Sequence, residues 1–312
     1  MDVRRRIFFM AWFKRIGLFL AVNALVIITI STLMSVLGVK PYITAYGLNY
    51  ESLMIFCLIW GMGGAFISLG LSRVMAKWMM GVRVISPDTR DSELAGLVQM
   101  VHEMSRAAHL RVMPEVGIYE SPEVNAFATG PTKNRSLVAV STGLLHRMRQ
   151  EEVRGVIGHE VAHIANGDMV TMTLVQGVVN AFVMFLARAI AYGLTMARGS
   201  DGEERQGTPM SYYLVQFALE MAFMVLGSIV VAWFSRLREY RADAGGARLA
   251  GRDSMIRALE ALRRTFEGVD PNAQPAIQAL KISSRPGGIM KYFSTHPPLE
   301  ERIERLKRAT AA

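Results

Sequence analysis

Apolar residues gather into four long runs separated by polar stretches. Ile16–Gly38 and Ser52–Ser72 contain no charged residue, and each is long enough for a membrane helix, which needs about 20 apolar residues. A third run starts at Met169 and stays uncharged through Ala187; Arg188 interrupts it, and apolar sequence resumes to Ala197. A fourth extends from about Tyr212 to Ser235 with Glu220 inside it. The first run is too long for the apolar core of a cleavable signal and lacks a small-residue exit. Arg4-Arg5-Arg6 is therefore read as flanking charge and not as a twin-arginine signal, and Met10 offers a second possible start. The last two runs admit two readings, a pair of crossing helices or a buried apolar hairpin that does not cross.

The polar stretches carry shorter periodicities. Leu94, Leu97, Val98, Val101 and Met104 recur at helical spacing, and Pro114 closes that region. Glu115–Tyr119 and Ser136–Ser141 read as short strands, with Val124–Gly130 between them as a loop or edge strand. A helix is predicted from about Glu151 to Ala165, with acidic residues at its start and Asn166-Gly167 at its end. Further helices are expected from Arg236 past Leu249, over Ser254–Phe266, and from Pro298 onward. The predicted fold is a mostly helical α+β membrane protein: about four transmembrane helices and a domain outside the bilayer with a small β-sheet. The expected divisions are a basic segment 1–15, a membrane hairpin 16–72, a polar part 73–168, a second hairpin 169–235 and a second polar part 236–312.

Composition and charge sharpen this picture. The chain has 312 residues, 51% hydrophobic and 20% charged, against about 25% charged for a typical soluble protein. That excludes a disordered chain. A single cysteine, Cys57, excludes an intramolecular disulfide or a cysteine-rich metal site; it sits in an apolar run and reads as packing. The net charge is +9, and most of it flanks the apolar runs: Arg4, Arg5, Arg6, Lys14 and Arg15 before the first, Arg73, Lys77 and Arg83 after the second, Arg236, Arg238 and Arg241 after the fourth. Short basic loops face the cytoplasm, so both termini are expected there. The excess charge is then a topology signal, and nucleic acid is not an expected partner. Trp12, Trp78 and Trp233 fall near span ends, where indoles favour the interface, and Trp60 reads as packing. Arg188 and Glu220 fall at similar depths in an antiparallel hairpin. Either they pair across it, or each side chain snorkels separately to the outer headgroups.

The candidate chemistry lies at the polar edges of the second hairpin. His159-Glu160-Val161-Ala162-His163 sits inside the predicted helix 151–165. Residues four apart share a helix face, so both imidazoles can meet one metal, and Glu160 can reach a water held there. A catalytic zinc takes three protein ligands and keeps one position open. The best candidate for the third is Glu239, four residues before Asp243 on a helix just after the fourth run. Asp243 could then accept the free ring N–H of a ligand histidine. His163 precedes the third run and Glu239 follows the fourth, so two crossings, or a re-entrant hairpin, return them to the same side. The plainer readings are two solvated histidines and a charged helix stem at the lipid interface.

With these residues in hand, the chain resembles the HtpX-type membrane zinc metallopeptidases, bacterial relatives of the CAAX prenyl proteases. The resemblance rests on Asn125-Ala126-Phe127-Ala128-Thr129-Gly130, on Val138-Ala139-Val140-Ser141-Thr142-Gly143, on His159–His163 followed by Ile164-Ala165-Asn166-Gly167-Asp168, on Glu239–Asp243, and on Thr295-His296-Pro297-Pro298-Leu299. It implies a gluzincin-like catalytic domain on the cytoplasmic side of a bacterial inner membrane. It implies one Zn2+ per chain held by His159, His163 and Glu239, with Glu160 as the base. It implies endopeptide cleavage of misfolded membrane proteins or unfolded polypeptides, and commonly self-cleavage; a homo-oligomer is left open. Asn125 and Ala126 match a segment lining the substrate cleft, and His296 is in place to stabilise the oxyanion. A structural Asn in a turn and a surface His are the alternatives. His102, His109 and His146 have no partner pattern and are expected in solvent.

Two rival functions are weaker and a third stays open. Arg154, Glu151 and Glu152 on the motif helix argue against a protease whose motif lies inside a span. A scaffold with structural zinc would want four protein ligands, often Cys. Prenyl-protein processing shares the chemistry and is not separable by sequence.

Overall fold

The computed structural model describes residues 24–44, 47–196, 210–267 and 292–309. The basic segment 1–15, Trp12, the loop charges near Gly202 and the stretch around Pro271 lie outside the described residues. The elements run α1 Ala24–Val36, β1 Ile43–Thr44, β2 Gly47–Leu48, α2 Tyr50–Met79, β3 Arg83–Val84, α3 Ser92–Ala107, β4 Glu115–Tyr119, β5 Ala126–Thr132, β6 Arg135–Ser141, α4 Thr142–Arg147, α5 Gln150–Asn166, α6 Asp168–Met196, α7 Met210–Ala250, α8 Arg252–Glu267 and α9 Leu299–Arg308. Among the described residues, α2, α6 and α7 are long and apolar enough to cross a membrane, and the described part of the first run forms the shorter α1. The chain divides into two compact units, one of residues up to Ser68 with Thr173–Gly227, the other of Leu69–Met172 with Ser228 onward.

In the first unit, small residues let the apolar helices come together. A side chain at Gly61 would overlap the backbone of Ala181, and one at Gly177 would meet Met62, so α2 and α6 touch backbone to backbone. Gly227 of α7 meets Val179 of α6 in the same way. Where the hydrophobic effect does not drive helix association, such close approaches are how helices gain packing. The outward faces are apolar: Val178, Phe182, Leu214, Phe217 and Met224 are all exposed. Cys57 is buried, as expected of a packing residue.

Arg188 and Glu220 form an ion pair between α6 and α7, and the Arg188 guanidinium lies over the Phe56 ring at 5.3 Å. The paired alternative is the one realised, and the physical reason is burial. Arg188 is only 8% exposed, and a lone charge there has nothing else to neutralise it. Removing either partner strands the other, so Arg188→Met or Glu220→Gln alone should lower thermal stability in detergent more than half as much as the double variant does. The cycle should show a coupling of about 1 kcal/mol; strictly additive losses would mean the pair contributes nothing.

The second unit holds the sheet. Its order is β3-β4-β6-β5: β4 and β6 are parallel, while β3–β4 and β5–β6 are antiparallel. β6 is central, and Leu137, Val138, Ala139 and Val140 are fully buried. β5 is an edge strand, with Ala126 opposite Val140 and Ala128 opposite Val138. α3 packs its Leu97, Val98, Val101 and Met104 stripe into the same core as Val138, Ile157 and Val161. Asp91 caps that helix through Glu93 N–H and Leu94 N–H at 3.0 and 3.2 Å. The fourth apolar run and the helix expected from Arg236 are one uninterrupted helix, α7, because no Gly-Pro or turn signal divides them.

Candidate metal centre

Two helices bring the ligand candidates together. α5 starts with a one-way cap, the Arg149 N–H donating to Glu152 Oε2 at 2.9 Å, and it presents His159 and His163 one turn apart. α7 brings Glu239 and Asp243 beside them because glycines permit backbone contact. A Cβ at Gly246 would stand 2.9 Å from His159 N, one at Gly245 would stand 2.6 Å from Ala162 Cβ, and one at Gly158 would stand 2.9 Å from Ala250 Cβ. Any side chain there would push the two ligand-bearing helices apart.

The donor atoms converge. His159 Nε2 and His163 Nε2 are 3.1 Å apart, and each is 3.4 Å from a different oxygen of Glu239. Two nitrogens about 2.0–2.1 Å from a tetrahedral ion stand roughly 3.3 Å apart, so the spacing fits a single cation. The chemistry of the set fits as well. Glu239 is 1% exposed, and its buried Oε2 faces His296 Nδ1 at 2.9 Å, His159 Nε2 at 3.4 Å and Arg302 Nη2 at 3.7 Å. Such an atom is costly unless something positive meets it. His159, His163 and Glu239 are the group of this kind found among the described residues.

A second ring of carboxylates holds the imidazoles. Asp243 Oδ1 lies 3.1 Å from His159 Nδ1, and Asp168 Oδ2 lies 2.6 Å from His163 Nδ1. The Asp243 contact is the one expected from its spacing; that of Asp168 is new. Gly167 ends α5 in the left-handed region, φ 73°, and this reversal is what returns Asp168 to its own helix. Asp243 is in turn gripped by Arg302, whose Nε and Nη2 donate to its two oxygens at 2.8 and 2.6 Å. Burial opposes charge on both histidines. Hydrogen bonds to Asp243 and Glu239 outweigh it and push His159 up to about 9, and Asp168 and Glu239 raise His163 likewise. The same field that draws a proton draws a cation.

One prediction arises here. A partner that fixes the ring of a metal-binding histidine typically contributes about 10–100-fold in metal affinity. Asp168→Ala should therefore lose metal to a competing chelator at a correspondingly lower chelator concentration, with unchanged circular dichroism. An unaltered competition curve would remove Asp168 from the centre.

The remaining candidates meet at one cavity of about 250 Å3, lined among others by Asn125, Ala126, His159, Glu160, Glu239 and His296. Glu160 is half-buried. His296 Nδ1 stands 2.9 Å from Glu239 Oε2, with its side chain 57% exposed. Its loop is tied down by Arg236, which donates to Ser294 O at 2.7 Å, and by Ser294 Oγ, which donates to His296 O at 2.6 Å. Ala126 opens the edge strand β5, and Asn125 precedes it with its N–H donated to Ser141 Oγ at 3.1 Å. His109 and His146 are exposed as expected. His102 is not: it is half-buried, with Nε2 3.3 Å from Pro114 O, because it shares α3 with the buried stripe.

Arg302 and Asp168 were not singled out by the sequence reading. For Arg302 a signal existed. It falls with Leu299, Ile303 and Leu306 on the buried stripe of α9, and a charge at a core position needs a buried partner. For Asp168 the cue was weaker, an acid directly after a helix-ending glycine.

Comparison with known proteins places the chain. The model of peptidase family M48 matches residues 91–310. A protease HtpX homolog from Methylacidiphilum infernorum is 48% identical over 300 residues, covering 95% of this chain and 99% of its own. One from Bacillus subtilis is 50% identical over 301 residues, covering 94% and 99%. Among solved structures, that of S. mikatae Ste24p is similar with a TM-score of 0.63 at 16% identity, over 98% of this chain and 66% of that one. That likeness concerns the fold.

Proposed function

The chain belongs to peptidase family M48, and on that premise we propose that it is a zinc-dependent endopeptidase acting on misfolded or damaged membrane proteins at the cytoplasmic face. It is a metalloprotease associated with a membrane. The zinc, the substrates and the sidedness are the proposed parts. The observation that carries the reading is the convergence of the His159, His163 and Glu239 donor atoms within 4.8 Å of one another, beside a cavity that Glu160 also lines, in a chain whose α6 and α7 are apolar enough to cross a membrane.

In this reading His159, His163 and Glu239 hold one Zn2+. When bound, the ion supplies Lewis-acid polarisation of the scissile carbonyl and acidifies water. Glu160 accepts the proton of the attacking water at its carboxylate and passes it to the leaving amine. His296, already beside the site, donates a hydrogen bond to the developing oxyanion. The free edge of β5 at Ala126 pairs with an extended peptide backbone, since an edge strand offers unpaired N–H and C=O groups. The unfolded state of the substrate follows from that pairing, because a folded protein does not present such a strand. Self-cleavage is an expected by-product in concentrated preparations.

The test uses the full chain in detergent, loaded with Zn2+, mixed with a membrane protein in its folded and unfolded forms. Internal fragments of the unfolded form, suppressed by a chelator and restored by Zn2+, are the expected result. Intact substrate at full zinc occupancy overturns the reading.

Sidedness is tested separately. Basic flanks favour the bacterial inner membrane with both termini in the cytoplasm. Reporter fusions at Arg83, Pro271 and the C-terminus should report cytoplasm, and one near Gly202 the opposite side. A cytoplasmic signal at Gly202 would instead support the non-crossing hairpin.

A further inference from the structure

Helix α6 carries two amide side chains inside its apolar stretch. Gln176 and Asn180 stand one turn apart, and Gln176 Nε2 donates to Asn180 Oδ1 at 2.8 Å. Gln176 Oε1 and Asn180 Nδ2 make no other hydrogen bond among the described residues. Gln176 is exposed and Asn180 half-buried. α6 begins at Asp168, and a rise of 1.5 Å per residue puts the two amides about 12 and 18 Å further along it. The apolar core of a bilayer is about 30 Å thick. Both amides therefore fall near its middle, where no water takes up the remaining bonds. Contacts of the neighbouring residues fix their direction. Gly177 meets Met62 of α2, and Val179 meets Gly227 of α7. At about 100° per residue, both amides lie in an arc of α6, roughly 160° wide, between those two contacts. The exposed apolar Val178 and Phe182 lie on the other arc. An amide pair that remains accessible between two flanking helices lines an open groove. The described part of α1 packs elsewhere, Ile30 and Val26 against Gly63 and Gly64 of α2.

We propose that this groove docks a membrane-spanning helix of a substrate protein, and that the amides recognise a polar side chain left without its partner in the middle of that helix. The proposal rests on the endopeptidase reading and deepens it by naming the substrate class. Polar groups inside a native membrane protein pair with one another. A misfolded or unassembled protein separates such pairs and leaves a hydrogen-bonding group in hydrocarbon, where it is costly. Gln176 Oε1 accepts and Asn180 Nδ2 donates, so the pair suits an Asn, Gln, Ser or Thr, while a Leu or Val in the same place gains nothing from it. A spanning helix is favoured over a soluble peptide, because amides at mid-bilayer depth are out of reach of a chain in water. A substrate is favoured over a second copy of this chain by continuity along α6. A helix laid along α6 brings its end to the start of α6, and Asp168 at that start orients His163.

The experiment uses the full zinc-loaded chain in lipid nanodiscs and two single-span substrates that share one unfolded cytoplasmic tail. One has an all-leucine span, the other the same span with Asn at its midpoint. The tail alone, as a soluble peptide, is the third substrate. Side-chain hydrogen bonds between membrane helices change affinity by about 3-fold on average and up to roughly 20-fold, so kcat/KM for the Asn span should exceed that for the leucine span by a factor in that range. Gln176→Leu combined with Asn180→Leu should remove the excess and leave cleavage of the tail peptide at the wild-type rate. The wild-type comparison holds whether or not the double variant folds, and Asn180→Leu alone provides a milder second variant. In parallel, zinc-loaded Glu160→Gln is titrated with both span substrates by fluorescence energy transfer. Equal cleavage and binding of the two spans, or an Asn preference that survives the double variant, overturns the docking site, while cleavage of the tail peptide keeps the endopeptidase reading standing. A double variant that changes only the oligomeric state also overturns it and assigns the amides to a second copy of the chain. Amide-dependent binding of the Asn span with no cleavage of any substrate leaves the docking site standing and removes the endopeptidase.

Discussion

Glu160→Gln should retain zinc at wild-type stoichiometry and lose peptide cleavage by about 1,000-fold or more. A positioned general acid–base typically contributes 10²–10⁴-fold, and Glu160 is the cavity-lining acid next to His159 that is not itself among the converging ligand atoms. The amide keeps the size of the side chain but accepts no proton from water. Two measurements decide the matter: metal content by mass spectrometry, and initial cleavage rates on an unfolded substrate free of contaminating protease. Cleavage near the wild-type rate would falsify the assignment of the base. Loss of metal together with activity would instead show that Glu160 supports the site structurally.

The second large effect concerns the third ligand. Glu239→Ala removes a carboxylate that reaches both imidazoles at 3.4 Å, leaving two histidines to hold the ion. Its zinc retention should fall well beyond the roughly 10–100-fold expected when a partner that only orients a ligand is lost. Asp243→Ala belongs in that smaller class, since it contacts His159 Nδ1 and not the face shared by the ligands. The fold of each variant is checked by thermal melting, because Asp243→Ala also strands the buried Arg302. Competition against chelators of graded affinity separates the two. Equal losses, or a Glu239→Ala protein that keeps stoichiometric zinc as tightly as the wild type, would reassign the third ligand.

What could be read from the chain follows the range of the forces involved. The helix carrying His159 and His163, the strands at Glu115–Tyr119 and Ser136–Ser141, and the three long apolar helices are written in local periodicity. The placing of Asp243 one turn from Glu239 was legible too, because a spacing of four is local; its contact with His159 followed only from the metal that the two segments would share. What escaped depends on contacts distant in sequence. Arg302 reaches Asp243 only after α9 folds back, and the two-residue strand β3 exists through pairing with β4. The partnership of Arg188 and Glu220 stood midway: depth arithmetic brought them level, but only the packing of α6 on α7 chose pairing over separation.

The order in which the centre's parts occur along the chain has a consequence for biosynthesis. The two histidines and the base lie on α5, the third donor arrives with the far end of α7, and the arginine that steadies Asp243 comes later still, on α9. Translation proceeds from the N-terminus at about 5–20 residues per second. A nascent chain therefore carries an incomplete set of donors through the whole synthesis of both apolar helices. No truncated product ending before Glu239 can assemble the three-donor site. On the ligand assignment proposed above, a chain is expected to be inert as a peptidase until Glu239 has been made, and cleavage by a chain truncated before that residue would count against the assignment.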